Sequence, residues 1–285
     1  MSKIGLVCEG GGMKCAYGAG VLDKFLEYGL EFPYCIGVSA GAGNLISYLG
    51  HQPGRNLRYY VKHNQDPRYF GVKAWLNEGS LFGIQYIYGE TSKPDGVDPI
   101  DYNTVLENPA EYIMVSTHAE TGEPVYFHKE QMSNGHYQCL MASVSIPAIC
   151  KPIEIDGQHY YDGGCVDAIP VKKAMDDGCD KVVVILSKSR NYVRQKQGYR
   201  FLWAALCRKY PKIIEAIDNR PITYKACQDA LFELERQGKA FIFSLETDLK
   251  ISTYTMDIET NQKVYELGLQ DFEDRKDALM EFIEE

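Results

Sequence analysis

A serine at position 39 stands in a pattern that is typical of an enzyme nucleophile. It lies in Gly37-Val38-Ser39-Ala40-Gly41, a G-x-S-x-G pattern between an apolar run and a helix-like run. A sharp strand-to-helix turn exposes the serine Oγ, and its neighbours are small because other backbone segments crowd such a turn. The N-terminal N–H groups of the helix then point at the reacting atoms. Taken alone, the pattern also fits an ordinary turn without chemistry.

A glycine-rich loop, Glu9-Gly10-Gly11-Gly12-Met13-Lys14, follows the first apolar run of the chain. A nucleotide P-loop is excluded because Lys14 is followed by Cys15 where Ser or Thr is needed. A dinucleotide fingerprint lacks its last glycine. An oxyanion hole fits better, since two loops at the ends of neighbouring parallel strands would aim backbone amides at one point above Ser39.

Serine is a weak nucleophile until a neighbouring base takes its proton. Hydrolases with this turn usually place a histidine late in the chain, but no histidine follows His159. A carboxylate acting directly as the base fits better, and Asp162, in the turn Asp162-Gly163-Gly164 after a hairpin, is the candidate. A triad that uses one of the earlier histidines stays open at this point. The six histidines are at positions 51, 63, 118, 128, 136 and 159.

The elements around these residues predict a parallel sheet. Apolar runs at 4–8 and 34–38 with a helical pattern at 16–28 between them form a βαβ unit. The remaining predicted strands cover 111–118, 124–128, 152–155, 159–161, 181–186 and 240–245, and the remaining helices cover 137–144, 170–177, 224–237 and 261–285. We therefore expect an α/β fold with three layers, in which helices cover both faces of a mostly parallel central sheet.

Residues 51–110 are rich in aromatic side chains and show poor periodicity. We expect an insertion that covers the site as a lid or lines an apolar pocket. A loop-rich flap that packs on the core is the equal alternative.

Composition narrows the class of protein. A net charge of −9 argues against a nucleic-acid partner. Nine cysteines without C-x-x-C spacing indicate reduced, mostly buried thiols rather than disulfides or a zinc site. No signal peptide or membrane-spanning run is visible, so we expect a cytoplasmic protein.

The stretch 188–212 carries eight positive side chains and no Asp or Glu, in an otherwise acidic chain. Aromatic and leucine residues are interleaved with the charges. Such a stretch can dock peripherally on an anionic membrane. The alternative, slightly favoured by the sequence, is that Phe201, Trp203 and Leu206 pack on the core and the charges form a solvated face.

Three motifs in one order resemble the patatin-like phospholipase family. They are the glycine-rich loop at 9–14, the G-x-S-x-G turn and Asp162-Gly163-Gly164. The connecting sequences at 142–147 and 168–171 match the family as well. The resemblance covers about residues 3–190, and residues from about 221 look like an extension of some bacterial members. The chain departs from the family pattern at Glu9, at Cys15 and at Lys14, where the family usually has Arg.

The resemblance implies a serine lipid acyl hydrolase that uses a Ser–Asp dyad, with no metal and no cofactor. Ser39 would be the nucleophile and Asp162 its base, and the amides of Gly11, Gly12 and Ala40 would hold the oxyanion while Gly10 shapes the loop. Residues that would support the motifs are Lys14, Gly37, Gly41, Gly163 and Gly164. The substrate would be a lipid or another acyl ester.

The expected organisation is a catalytic domain at 1–190, with the insertion at 51–110, and a C-terminal extension at 191–285. That extension would be helical with one strand and would pack on the catalytic domain. Three alternatives remain open: an idle lipid-binding protein, an acyltransferase that shares the acyl-enzyme, and a Ser–His–Asp esterase.

Overall fold

Eight strands form one sheet in the computed structural model of the chain, which describes residues 2–247 and 249–285. The strands are β1 (Ile4–Cys8), β2 (Tyr34–Val38), β3 (Glu111–His118), β4 (Pro124–His128), β5 (Ile153–Ile155), β6 (Gln158–Asp162), β7 (Lys181–Leu186) and β8 (Ala240–Ser244). The order is β5-β6-β3-β2-β1-β7-β8, and β4 also pairs with β3.

The centre of the sheet is parallel. The pairs β3–β2, β2–β1, β1–β7 and β7–β8 are all parallel, whereas β4, β5 and β6 pair antiparallel. Every residue of β1 and β2 is buried, as expected for strands covered on both faces. The prediction of a mostly parallel sheet is therefore confirmed.

Helices cover both faces of this sheet. They are α1 (Ala16–Glu27), α2 (Ala40–Leu49), α3 (Arg55–Val61), α4 (Val72–Glu78), α5 (Tyr102–Glu107), α6 (Gln138–Val144), α7 (Val171–Asp176), α8 (Arg200–Leu206), α9 (Pro211–Arg236) and α10 (Ile258–Glu284). One core cluster joins one sheet face to α1, α2, α6 and α10. A second joins the opposite face to α7 and α9. These clusters confirm the three-layer arrangement.

The helix predicted at 224–237 was wrong at its beginning. Helix α9 begins at Pro211 and continues through Pro221. Proline suits the first helical turn, where its missing N–H costs nothing, but an internal proline removes one helical hydrogen bond. The first half of α9 is nevertheless held by packing, because Ile213 and Ile217 are buried in a third cluster with Trp203.

The segment 51–110 is largely helical, with α3, α4, α5 and a π-helical segment, Gln85–Thr91. Arg55 is fully buried and fixes this segment to the core. Its guanidinium donates to Ser47 Oγ at 2.9 Å on α2, and to Ser92 Oγ at 2.9 Å and Asp98 O at 3.0 Å. Short helices with mixed burial give no clear period, which explains why the sequence pattern was poor.

The region after residue 190 shares the sheet and the core of the rest of the chain. β8 extends the sheet beside β7, so the predicted boundary at residue 190 falls between two neighbouring strands. Helix α10 packs along α1 so closely that a Cβ on Gly268 would overlap the carbonyl oxygen of Tyr17. No helix among residues 2–247 and 249–285 is long and apolar enough to cross a membrane.

Candidate active site

Ser39 lies at the turn between β2 and α2. Its φ of +54° and ψ of −131° place it in a region that non-glycine residues rarely adopt, as in strained nucleophile turns. Its N–H donates to Ser143 Oγ at 3.0 Å, and Ser143 Oγ donates to the carbonyl oxygen of Val115 at 2.7 Å. The sequence analysis did not single out Ser143, although it lies in the stretch 142–147 that resembles the family sequence.

Asp162 is brought beside Ser39 by the pairing of β3. Both β4 and β6 pair with Ser116, so they must lie on opposite edges of β3, and β6 therefore follows β2 along one edge. Val38 pairs with Val115, and Asp162 pairs with the next residue, Ser116. The serine turn and the carboxylate thus occupy successive positions along the same strand.

Three hydrogen bonds fix Asp162. Its N–H donates to Ser145 O at 2.8 Å, its carbonyl oxygen accepts from Thr117 Oγ1 at 2.9 Å, and its Oδ1 accepts from the Gly164 N–H at 2.7 Å. Burial raises the pKa of this carboxyl above its ordinary value, and the neighbouring Ser39 hydroxyl and the charge of Arg220 oppose the rise. The structure therefore brings the two predicted dyad residues together.

The glycine-rich loop borders the same space. Gly10, Gly11 and Gly12 line a cleft with Ser39 and Asp162, and a Cβ on Gly10 would lie 2.8 Å from the Ser39 Cβ. Within residues 2–247 and 249–285, the N–H groups of Gly11, Gly12 and Ala40 donate to no protein acceptor. These amides are thus available to a ligand, whereas the Met13 N–H is bonded to Thr253 O at 3.2 Å.

The space beside Ser39 has two parts. The outer cleft has a volume of about 540 Å³, within the range of small-molecule sites. The inner pocket is much smaller, at about 60 Å³. Its lining is mostly aromatic and aliphatic and comprises, among others, Tyr59, Tyr60, Tyr69, Phe82, Ile87, Tyr88, Val144 and Ile146. Part of the segment 51–110 therefore lines this pocket.

Histidines do not line the outer cleft in the part of the chain that the structure describes. His63 is buried and bonds the Asp98 carboxylate at 2.8 Å. Arg55, Arg58 and His63 surround this carboxylate, and we call the four residues the Arg55 cluster. His159 bonds Glu120 at 2.9 Å, and His118 bonds Gln158 at 3.1 Å. His118 and His159 thus both bond side chains that do not line the cleft.

Comparison with known proteins agrees with the motifs. A family model described as patatin-like phospholipase matches residues 6–175, more than half of the chain. The chain belongs to the patatin-like phospholipase family. Membership associates it, at the level of the family, with hydrolysis of lipid acyl esters. A second family model, a domain of unknown function (DUF6363), matches residues 210–284.

Relatives of this patatin-like protein include the uncharacterized protein YjjU of Escherichia coli, 26% identical over 85% of this chain and 68% of that protein. An uncharacterized NTE family protein of Mycobacterium tuberculosis is 20% identical over 64% of this chain, which spans about half (48%) of that protein's length. The crystal structure of VipD from Legionella pneumophila aligns with 94% of this chain and 67% of its own. That alignment has 14% identity and a TM-score of 0.42.

The departure of this patatin-like chain at Glu9 has a structural reason. The Glu9 side chain is fully buried and accepts from the Ser187 N–H and from the Tyr224 hydroxyl, both at 2.8 Å, and it pairs with Lys188. A buried carboxylate is stable only with such a set of donors. Glu9 thereby ties the start of the glycine-rich loop to the end of β7 and to α9, a role that sequence reasoning missed.

The remaining motif residues lie at the turns of this patatin-like site. Gly37 is the penultimate residue of β2, where a Cβ would lie 2.7 Å from the backbone of Ala42, and a Cβ on Gly41 would lie 2.5 Å from the carbonyl oxygen of Cys8. Gly163 and Gly164 form the turn after Asp162. Lys14 lies with its Nζ 5.9 Å from the centre of the Tyr192 ring, and burial lowers its pKa.

Cys15, the other departure, is buried with its Sγ 3.5 Å from the carbonyl oxygen of Glu9. Burial raises the pKa of its thiol to about 12. This cysteine therefore packs beneath the loop as a neutral side chain.

Proposed function

We propose that this protein is a serine lipid acyl hydrolase that uses Ser39 and Asp162 as a catalytic dyad. The observation that carries the proposal is that both side chains line one ligand-sized cleft, which no histidine lines within the described residues. In a Ser–His–Asp esterase, a histidine would stand between them.

The chemistry follows from the two side chains. Ser39 Oγ attacks the ester carbonyl carbon while its proton passes to the Asp162 carboxylate. The tetrahedral intermediate collapses, the C–O bond to the alcohol breaks, and Asp162 returns the proton to the leaving alcohol. Water then attacks the acyl-enzyme, giving its proton to Asp162, and the fatty acid leaves as Ser39 recovers its proton.

The oxyanion of each tetrahedral intermediate would be held by the amides of Gly11, Gly12 and Ala40. Their N–H groups have no acceptor in the described part of the chain, and the N-terminus of α2 adds its positive dipole end at Ala40. Loss of one such donor typically costs roughly 3–4 kcal/mol of barrier, a 10²–10³-fold loss in rate.

A lipid-type acyl ester suits the walls of the site. The aromatic inner pocket adjoins Ser39 and could take the first carbons of an acyl chain, and the outer cleft could hold the rest. A longer chain in the inner pocket requires the rings to move. Transfer of the acyl group to an alcohol other than water would use the same acyl-enzyme.

The test compares hydrolysis of p-nitrophenyl esters of short and long chain, and of a phospholipid, by the parent, Ser39→Ala and Asp162→Asn. We expect both variants to lose at least 10³-fold in kcat/KM, while the exposed controls Ser133→Ala and Asp229→Asn stay within twofold. Retained activity in Ser39→Ala would refute the assignment. Retained activity in Asp162→Asn would point to a histidine base, to be sought among His118 and His159.

Labelling by a fluorophosphonate separates an enzyme from an idle binding protein. We expect labelling of the parent and none of Ser39→Ala. A parent protein that neither hydrolyses esters nor takes the label would favour the lipid-binding alternative.

A peripheral membrane contact is the second part of the proposal. Two helices beside the cleft expose apolar side chains, which we call the apolar rim: Val72, Trp75 and Leu76 of α4, and Tyr199, Phe201, Leu202 and Leu206 in and next to α8. The alternative expectation was that Phe201, Trp203 and Leu206 all pack on the core. Only Trp203 does so, because Phe201 is 77% exposed and Leu206 is 61% exposed. Lys151 and Lys209 line one surface hollow together with Val72, Trp75 and Leu206, which suits an anionic bilayer.

A further inference from the structure

The outer cleft contains a concentration of positive charge that the proposed dyad does not use. Lys188, Arg194 and Arg220 all line it, although the chain as a whole carries a net charge of −9. Asp162 is the acidic side chain that lines the same cleft among the described residues.

The partners of these cations differ. Lys188 pairs with the buried Glu9. Arg220 donates from Nε to the carbonyl oxygen of Gly164 at 2.6 Å. Neither Arg194 nor Arg220 forms a salt bridge with a carboxylate in the part of the chain that the structure describes. Two arginines thus line the cleft without a salt bridge to any described carboxylate, and the acidic side chain nearest to them there is the proposed base, Asp162.

This arrangement is electrostatically unfavourable in the free protein. Both arginines are half-buried, and burial together with the charge of Arg220 lowers the pKa of Arg194. Like charges held together in a partly desolvated wall repel each other, and an anion between them removes that cost. Guanidinium groups bind phosphate and carboxylate through paired N–H donors, with better geometry than Lys.

We propose that Arg194 and Arg220 form a subsite that binds a phosphate or similar anionic group of the acyl ester whose carbonyl lies at Ser39. This inference rests on the proposed function and adds the charge of the substrate to it. It also gives a role to the region after residue 190, because Arg194 precedes α8 and Arg220 lies on α9.

A positioning role is the competing explanation for Arg220. Its Nε holds the carbonyl of Gly164, whose N–H is bonded to Asp162, so Arg220 could act only through the carboxylate. The side chain of Arg194 has no such hydrogen bond to the turn, which makes Arg194 the sharper probe of the subsite. Arg236, an exposed arginine on α9 that pairs with Glu233, provides a control of the same residue type.

The test uses two substrates that differ only in the phosphate, 1-oleoylglycerol and 1-oleoylglycerol 3-phosphate, both presented in neutral detergent micelles. We expect the parent to prefer the phosphate ester and Arg194→Gln to reduce the ratio of the two kcat/KM values at least tenfold, mainly through KM. Arg194→Lys should recover part of the ratio, and Arg236→Gln should leave it unchanged. Equal losses on both substrates in Arg194→Gln would overturn the subsite.

A binding measurement separates this proposal from the hydrolase assignment. Calorimetry should show that the Ser39→Ala protein binds glycerol 3-phosphate. The double variant Ser39→Ala/Arg194→Gln should bind it at least tenfold more weakly. Glycerol, the uncharged control, should not bind to either protein. Binding without hydrolysis of either ester would refute the hydrolase and keep the subsite. Hydrolysis of both esters with equal kcat/KM, without glycerol 3-phosphate binding, would refute the subsite and keep the hydrolase. If the protein binds the lipid phosphate ester but not glycerol 3-phosphate, the subsite is specific for lipid headgroups. If it binds both compounds, the subsite also accepts soluble phosphates.

Discussion

The backbone N–H of Ser39 donates a 3.0 Å hydrogen bond to the hydroxyl oxygen of Ser143. Because this amide is occupied, it is not available to the proposed oxyanion, unlike the amides of Gly11, Gly12 and Ala40, which have no protein acceptor among the described residues. The same hydroxyl is anchored to Val115 O on β3, so Ser143 links the strained turn to the sheet.

Ser143→Ala should therefore reduce both stability and activity. The change leaves the buried Ser39 N–H and Val115 O without partners, at a cost of about 1–3 kcal/mol in the free energy of unfolding. We expect kcat/KM to fall at least tenfold as the turn relaxes. Urea unfolding and ester hydrolysis measure the two effects. Ser116→Ala is the matched control, since the buried Ser116 Oγ has no partner among the described residues and its loss should be nearly neutral.

The pH profile should report the environment of Asp162. Burial raises the pKa of this carboxyl, and the base must be ionised, so the acid limb of kcat/KM should lie above the ordinary Asp value of 3.8. The nearby charge of Arg220 favours the ionised form. Its removal in Arg220→Gln should move the acid limb to higher pH, with Arg220→Lys in between. An acid limb that stays in place in Arg220→Gln would show that this charge does not act on the base.

The Arg55 cluster should dominate the stability of segment 51–110. Arg55 lies 3.7 Å from Asp98, and both side chains are almost fully buried. Arg55→Met would leave the Asp98 carboxylate with less compensation, and such losses cost about 3–5 kcal/mol. The control is Arg58→Gln, whose 42% exposed side chain also pairs with Asp98 and should cost less. Equal costs for the two variants, measured by urea unfolding, would contradict this view.

Membrane docking by the apolar rim should depend on charge. Binding to vesicles with anionic lipid should weaken as salt is added, and the triple change of Arg208, Lys209 and Lys212 to Gln should weaken it further. Phe201→Ala should reduce binding at all salt concentrations, because burial of apolar surface is not screened. As a matched control, changing the exposed cations Lys225, Arg236 and Lys263 to Gln should leave binding to the vesicles unchanged. Binding that ignores salt, or no binding, would return 188–212 to an ordinary surface.

The sequence was sufficient for the parallel strands and for the order of the motifs. Runs such as Ile4–Cys8 are apolar throughout because both faces are buried, and this local signal survives without any knowledge of the partners. The prediction that Ser39 and Asp162 act as a dyad drew on motif order, and in the structure both residues line the same cleft.

Other parts of the site depend on contacts between distant residues and left no local pattern. Glu9 meets Tyr224, 215 residues later, and Arg220 meets Gly164 across 56 residues. The helix predicted at 224–237 likewise began too late, because packing of Ile213 and Ile217 carries α9 through Pro221. Such contacts are set by the tertiary fold, which one sequence does not display.

The close packing of α1 and α10 has a consequence for the order of folding. Tyr17 on α1 bonds Asp271 on α10, 254 residues away in the chain, and Asp23 bonds Tyr265. Contacts of such long separation form late, because the entropy of closing the intervening chain must be overcome first. Until α10 docks, α1 presents an uncovered face beneath the glycine-rich loop, and until β8 pairs, β7 is an open sheet edge. Docking of α10 and pairing of β8 therefore cover an apolar helix face and a sheet edge that the rest of the chain leaves exposed.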